Sequence, residues 1–276
     1  MTELSKRLQT IASFVQPGSR IADVGTDHGF LPIYLLEQGI ASQGIAMDIR
    51  RGPLSRAQDH IAEAGLETKI ETRLGNGLEK LMLGEADTVI VAGMGGPLML
   101  DILRAGSHVF DDVDRFILSP QSDWRGFRLG LEKLGLQIIR EEMVCEDGKY
   151  YVIMETVHGE QAESAKDRMG EEDVPNTAGR VGSEEAGSEN AESENAKSEN
   201  AGSEESGYGE QELRFGRLLL EEKHPVLRQY LIWQTDILGG IIDKLAQSDT
   251  PEAECRKVEI RKELSYVEAA LQMWEG

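Results

Sequence analysis

Apolar positions fall into short blocks along the first 158 residues, and their spacing changes from block to block. Between 4 and 15, Leu4, Leu8, Ile11, Ala12 and Val15 recur at helical intervals and predict an opening helix. Compact apolar runs at 20–24, 44–49, 69–73, 88–92 and 115–118 read instead as strands. Helical patterns at 30–38, 53–64, 97–104 and 124–134 lie among them, and Gly65 and Gly135 stand where two of those helices end. The stretches 136–144 and 150–157, joined by CEDGK, predict a hairpin. Five β-α units followed by an antiparallel pair predict an α/β fold, a doubly wound sheet with a reversed last strand.

Further on the pattern changes. Residues 183–207 read SEEAG, SENAE, SENAK, SENAG, SEESG, five copies of a five-residue unit with almost nothing large enough to bury. Such a segment cannot offset the entropy of ordering its backbone, so residues 159–212 are expected to form a disordered linker. An acidic mimic that competes with nucleic acid is the sharper alternative. Beyond it, Leu227, Tyr230, Leu231, Ile237, Leu238, Ile241, Ile242 and Leu245 form one helical stripe, and Ile260, Leu264, Val267, Leu271 and Trp274 another. Pro225 and Pro251 mark the helix starts, with Ser248, Asp249 and Thr250 as capping residues. Residues 213–276 therefore predict an antiparallel helical hairpin with a coiled-coil-like seam, either a structural appendage or a substrate-binding arm. The chain divides into a folded unit (1–158), the linker (159–212) and the hairpin (213–276).

Charge changes the picture only in part. The 276-residue chain carries a formal net charge of −21, which argues at first against a nucleic-acid partner. Residues 159–212 alone hold 16 acidic and 4 basic side chains, more than half of the excess, so the flanking parts are only mildly acidic. No run of 18 apolar residues occurs, so no membrane span or membrane partner is expected. The N-terminus lacks the apolar core and cleavage site of a secretion signal. Cys145 and Cys255 read as reduced thiols of a cytoplasmic protein, and the five scattered histidines give no metal-ligand spacing. Nothing in the pattern calls for an oligomer, and a monomer is expected.

Ligands of a doubly wound sheet bind at the carboxyl ends of its strands, and four clusters map there. The first is DVGTDHG, 23–29. A dinucleotide fingerprint needs G-x-G-x-x-G, but Asp27 stands where the second glycine would be, and a carboxylate there repels a pyrophosphate. No G-x-x-x-x-G-K-[ST] occurs, which excludes a P-loop. Asp23 and Asp27 suit a ligand with cationic groups, and S-adenosylmethionine carries an α-ammonium and a sulfonium. The second cluster centres on Asp48, which could accept hydrogen bonds from both ribose hydroxyls or simply cap a helix. The third is Gly75-Asn76-Gly77, where Asn76 could read an adenine edge or sit in an ordinary turn. The fourth is AGMGG, 92–96, whose glycines allow close backbone approach while Met94 walls a flat base.

These residues carry a resemblance. The chain resembles the bacterial TrmK-like tRNA methyltransferases, which methylate N1 of the adenine at position 22 of tRNA. It does so through LSKRLQTIA (4–12), ADVGTDHGFLP (22–32), GNGL (75–78), AGMGG (92–96) and EDGKYY (146–151). The similarity covers about residues 3–158, and the hairpin matches the family in kind; the pentapeptide linker is a departure. The resemblance implies a class I methyltransferase sheet, Rossmann-like, with S-adenosyl-L-methionine as donor and tRNA as partner. By matching motif it implies that Asp23, Gly25, Asp27 and His28 line the methionine end. Asp48 would hold the ribose, Asn76 would lie near the cofactor adenine, and Gly93, Met94 and Gly95 would form the acceptor side.

The chemistry then expected is alignment. Adenine N1 has an in-plane lone pair, and the sequence lacks the Asp/Asn-Pro-Pro-aromatic motif of an exocyclic-amine acceptor. Asp27 is expected to stabilise the positive charge of the product, with His28 as its orienting partner or as a helix-start residue bonded to backbone. Phe30 could stack on the base or sit in the core. Candidate phosphate contacts are Lys6, Arg7, Arg50, Arg51, Arg125, Arg128, Arg256, Lys257, Arg261 and Lys262. A small-molecule methyltransferase on the same sheet, a non-catalytic binding module and a nicotinamide dehydrogenase are the alternatives.

Overall fold

The computed structural model describes residues 3–159, 207–248 and 250–274; the repeats, apart from Gly207, lie outside the described residues. Helix α1 (Lys6–Ala12) is capped by the Ser5 hydroxyl, which accepts the Leu8 N–H, and it buries Ile11 and Ala12. There follow β1 (Ser19–Val24), α2 (Phe30–Glu37), β2 (Ala41–Asp48), α3 (Arg51–Glu63), β3 (Ile70–Leu74) and β4 (Thr88–Ala92). Next come α4 (Gly96–Ala105), β5 (Arg115–Ser119), α5 (Trp124–Lys133), β6 (Leu136–Glu146) and β7 (Lys149–His158). The seven strands form one sheet in the order β3-β2-β1-β4-β5-β7-β6. β1 to β5 run parallel, and β7 inserts antiparallel between β5 and β6. This is the doubly wound sheet with its last strand reversed. One expected β-α unit is missing, because no helix is described between β3 and β4. That connection is broken by glycines and anchored by buried Leu78 and Leu81, with Arg73 paired to Glu85 across it.

Strand alternation sorts the core onto two faces. Ile21, Ile90, Ile117 and Ile153 pack under α1, α2 and α3. Val89, Val91, Phe116 and Leu118 face α4, α5 and the C-terminal part of the chain. That part is α6 (Glu210–Phe215), α7 (Arg217–Glu221), α8 (Pro225–Leu245) and α9 (Pro251–Gln272). Helix α6 thus begins three residues inside the stretch assigned to the linker. Leu213, Phe215, Leu219 and Leu220 of α6 and α7 are buried, and the last three join the same core as Phe127 and Leu131. The hairpin of α8 and α9 buries Leu227, Leu231, Leu238, Ile260 and Val267 as expected, but Ile237, assigned to that stripe, is 44% exposed. Thr250 caps α9 by accepting the Ala253 N–H at 3.2 Å.

The helical part is fastened to the sheet rather than hung from it. Arg128 of α5 donates through Nε and Nη2 to Glu141 Oε1 of β6 at 3.0 and 2.8 Å, and through Nη1 to the carbonyls of Leu213 and Arg214. Arg125 holds Glu210 with two bonds of 2.8 and 2.9 Å, and His224 Nε2 lies 2.6 Å from Glu142 Oε1. Among the described residues no helix is long and apolar enough to cross a membrane, no cluster of His, Cys, Asp and Glu could hold a metal, and both cysteines are free.

Candidate active site

The loops that leave the carboxyl ends of the parallel strands are stitched side by side. Gly25 and Thr26 donate their N–H groups to the Met47 carbonyl at 2.8 and 2.9 Å, Gly75 to that of Asp48 at 3.1 Å, and Gly93 to that of Ser119 at 3.2 Å. Between them lies a cleft of about 560 Å³, lined among others by Gly25, Asp27, Asp48, Asn76, Gly93 and Met94. Gly25 has φ +77°, and a Cβ there would collide with the Met94 methyl. Only glycine supplies both the left-handed turn and the seat for Met94.

Asp23 lies at the end of β1 and is 6% exposed. Burial pushes its carboxyl up to about 6, the Thr26 hydroxyl beside it works downward, and the Asp48 charge adds a further rise. None of these influences is a cation, so a positively charged ligand would find this carboxylate unmatched. Asp48 is equally buried; its Oδ1 accepts the Arg50 N–H at 2.6 Å, and its second oxygen is left for a ligand hydroxyl. Asn76 commits its amide nitrogen to Glu79 at 2.7 Å, which leaves its oxygen to accept from an exocyclic amine. Ile49 and Leu98 also line the cleft while 63% and 54% exposed, and with Ile102 they offer apolar faces to a flat ring.

Four expected residues are outside the lining, Asp23, His28, Phe30 and Gly95, although Asp23 directly precedes Val24 and Gly25, which line it. His28 is not part of the lining. Its backbone is left-handed at φ 62°, its ring is parallel to Phe30 with centroids 5.4 Å apart, and His60 Nδ1 bonds its carbonyl at 2.9 Å. Its Nε2 nevertheless comes within 3.4 Å of Asp27 Oδ1, the contact expected of an orienting partner. Phe30 is occupied by this stack, which also includes His60, rather than lining the cleft. Gly95 is the N-cap of α4, and a Cβ on it would meet Ser122 Oγ at 3.0 Å, so it faces the β5–α5 loop and not the cleft.

Arg7 lines the cleft, and its Nη1 is buried with no hydrogen-bond partner. The guanidinium reaches within 3.7 Å of where a Gly93 Cβ would be and lies 5.2 Å from the centre of the Tyr151 ring. An inward guanidinium suits a small anionic group better than an RNA backbone. Arg128 and Lys257 leave the set of phosphate candidates, since both are buried and paired, to Glu141 and Glu254. Arg50, Arg125 and Arg256 are engaged with Asp48, Glu210 and Glu259. Lys6, Arg51, Arg261 and Lys262 stay exposed. Sequence reasoning missed Gln121, which lines the cleft and donates its N–H to the Met94 carbonyl at 2.8 Å, and the walls Ile49, Leu98 and Ile102. Gln121 could have been found from its place just past the fifth strand.

The cleft therefore presents the buried Asp48 carboxylate with buried Asp23 next to its lining, an unpartnered guanidinium and an apolar slot with an amide beside it. That set fits an amino acid joined to a nucleoside. Residues 4–154 match the model of a methyltransferase domain. The chain is 39% identical over 159 residues to the tRNA (adenine(22)-N(1))-methyltransferase of Bacillus subtilis, a match that spans 58% of this chain and 67% of that relative. The crystal structure of the B. subtilis M1A22 tRNA methyltransferase TrmK superposes with a TM-score of 0.73 at 27% identity, over 98% of this chain and all of that one. A Streptococcus pneumoniae protein, Sp1610, crystallised in complex with S-adenosyl-L-methionine, superposes with a TM-score of 0.71 at 26% identity, over 98% and 100% of the two chains. The chain therefore belongs to the methyltransferase-domain family and, within it, to the TrmK-like tRNA methyltransferases.

Proposed function

We propose that this protein transfers a methyl group from S-adenosylmethionine to N1 of the adenine at position 22 of tRNA, giving N1-methyladenosine. The observation that carries the reading is the buried Asp48 carboxylate in a glycine-lined cleft, with a second buried carboxylate, Asp23, directly before the lining residues Val24 and Gly25 and matched by no cation. Bound there, S-adenosylmethionine supplies a methyl group activated by the positive sulfur that carries it. Asp23 and the Gly25 turn hold the ammonium end, and Arg7 holds the carboxylate. Asp48 takes the ribose diol, and Asn76 with Ile49 and Leu98 takes the adenine ring. Gly93, Met94 and Gln121 are left to shape the acceptor side.

Adenine N1 needs no general base, so the chain's part is alignment, which can contribute about 7–11 kcal/mol. N1 lies on the Watson–Crick edge, and the target base must be unpaired before it can enter. The methylated ring is positively charged. The carboxylate of Asp27, 79% exposed at the cleft and steadied by His28, is placed to face that charge. Exposed Lys6, Arg261 and Lys262 serve the RNA backbone. With tRNA as substrate the protein works in the cytoplasm, as a single chain whose acidic repeats connect the sheet to the helices.

The test is a transfer assay with labelled S-adenosylmethionine and total unmodified tRNA, followed by nucleoside analysis. N1-methyladenosine at one site is expected. Cofactor binding without transfer to tRNA would refute the substrate. Asp27→Ala should abolish transfer with an unchanged melting temperature, and near-normal turnover would remove Asp27 from the mechanism.

A further inference from the structure

Next to the cofactor cleft, and sharing Gln121 with it, a second groove of about 490 Å³ runs between the β6–β7 turn and α8. Five of the chain's nine Trp and Tyr residues line it: Trp124, Tyr150, Tyr151, Tyr230 and Trp233. They come from three separate stretches of chain, the start of α5, the start of β7 and the middle of α8. Their rings touch in series, with centroids 5.3 Å apart for Trp124 and Tyr230, 5.2 Å for Tyr150 and Tyr230, and 5.6 Å for Tyr150 and Trp233. A cluster that served only to glue α8 to the sheet would be sealed, yet Trp233 is 42% exposed.

The rim is cationic where it meets the cleft. Lys149 lines the groove and makes no ion pair among the described residues. The Arg7 guanidinium stands over Tyr151, and exposed Lys6 reaches the Cys145 carbonyl on the same turn at 3.4 Å. The carboxylate of Glu146 in that turn is engaged by the Arg7 backbone N–H at 3.2 Å. Flat π faces beside Lys149 and Lys6, the cations not assigned to the cofactor, suit an unstacked nucleobase and its phosphate, since every base has a π face that such a platform accepts.

We propose that this groove stacks the unpaired base next to the target adenine, so that one nucleotide enters the cofactor cleft while its neighbour is held on Trp233 and Tyr150, with Gln121 between them. The proposal rests on the RNA substrate argued above. It makes the helical part a component of the substrate site through α8.

The test measures methyl transfer to a tRNA transcript and to transcripts with an abasic site on either side of the methylated adenine. Trp233→Ala should raise the KM for tRNA by about tenfold or more, the range measured for loss of one base–aromatic stack, with cofactor affinity unchanged. Trp233→Phe should recover most of the loss. One of the two abasic transcripts should show the same rise with the unmutated enzyme, and combining it with Trp233→Ala should add nothing further. Trp233→Leu keeps the packing against Tyr150 and Tyr230 and serves if the alanine variant is unstable. On the unmutated protein, 2-aminopurine at the same flanking position should be quenched on binding. If wild type methylates tRNA but the Trp233 variants keep its KM, or the abasic and Trp233 effects simply add, the groove is not a base site and the tRNA reading stands. If wild type transfers nothing to tRNA, the tRNA reading fails and takes this proposal with it.

Discussion

Arg128 of α5 ends on Glu141 with its side chain fully buried and its donors spent on a carboxylate and two carbonyls, whereas Arg7 of α1 leaves a buried Nη1 with no partner in the cofactor cleft. The carboxylates differ in the same way. At the seam between sheet and helices, Glu210 is held well below its usual range by Arg125, and Glu142 by His224. Next to the cleft lining, Asp23 is pushed up to about 6 by burial. Buried polar groups are normally satisfied within the protein. The seam matches its charged groups in ion pairs and becomes a fixed joint, although His224 Nδ1 is buried there without a partner. The cleft departs from that rule at Arg7 Nη1, and Asp23 next to the lining has no cation; a zwitterionic amino-acid end would satisfy the two together.

The largest effect should come from breaking the seam. Arg128→Met leaves Glu141 buried and uncompensated, and removes the donor to the Leu213 and Arg214 carbonyls. Urea denaturation should show a loss of about 3–5 kcal/mol. Adding Glu141→Leu should restore most of it, because an apolar pair of similar volume does not need to be charged. A loss below about 1 kcal/mol would mean that the apolar contacts of Phe215 and Leu219 hold the joint without the pair.

In the cleft the same kind of change should act with the opposite sign on stability. Asp23→Asn removes a buried charge that no protein cation matches, so stability at pH 8 should hold or rise. Cofactor affinity, measured by calorimetry, should fall by about 2–3 kcal/mol, roughly 30- to 150-fold, the scale of a hydrogen bond to a charged group. Unchanged affinity would make Asp23 a structural residue.

A smaller effect follows from pH. The folded protein keeps a proton on Asp23 between the unfolded value of 3.8 and about 6, and the unfolded chain does not. The charge penalty on folding is therefore absent below 3.8, grows across that window and is complete above 6. Carboxylates such as Glu210 and Glu142 are shifted the other way, and their contribution is lost as pH falls. Comparing wild type with Asp23→Asn isolates the Asp23 part. Binding of a cationic group needs the ionised form, so wild-type cofactor affinity should drop about tenfold per pH unit below 6, while the Asn variant stays flat. Parallel profiles would contradict the assignment.

The sheet was legible because short apolar runs alternate with helical periods over elements of five to thirteen residues, although the helix expected between β3 and β4 was not there. The starts of α8 and α9 were legible from Pro225 and Pro251. Helices α6 and α7 were not, since Gly216 cuts a short stretch into pieces of six and five residues, too short to show a period. At the site, Asp48, Asn76, Gly93 and Met94 stood out because they stand at or just past the strand ends at which ligands of a doubly wound sheet bind. Ile49 and Leu98 did not, because an apolar wall facing a ligand reads in sequence like one facing the core. His28 was read as part of the lining, and no pattern in the chain announces the left-handed turn that sends its ring to Phe30 instead.

The smallest effect should come from shortening residues 160–206. The two described ends of that stretch each contact the connection between α5 and β6. Gly207 donates its N–H to Glu132 Oε1 at 2.6 Å, near the end of α5. His158, the last residue of β7, pairs with Leu136 at the start of β6, and its Nε2 lies 3.3 Å from where a Gly135 Cβ would be. Glu132, Gly135 and Leu136 belong to a single turn, so a few glycines and serines suffice to join 159 to 207. Neither end approaches the cleft, and loop length changes closure entropy only slowly. Replacing 160–206 by such a bridge should leave cofactor affinity and the rate of methyl transfer within about twofold, and the melting temperature no lower. A large fall in the KM for tRNA would instead point to the acidic repeats as a competitor for the RNA site. A fall in melting temperature would show that the repeats take part in the joint itself.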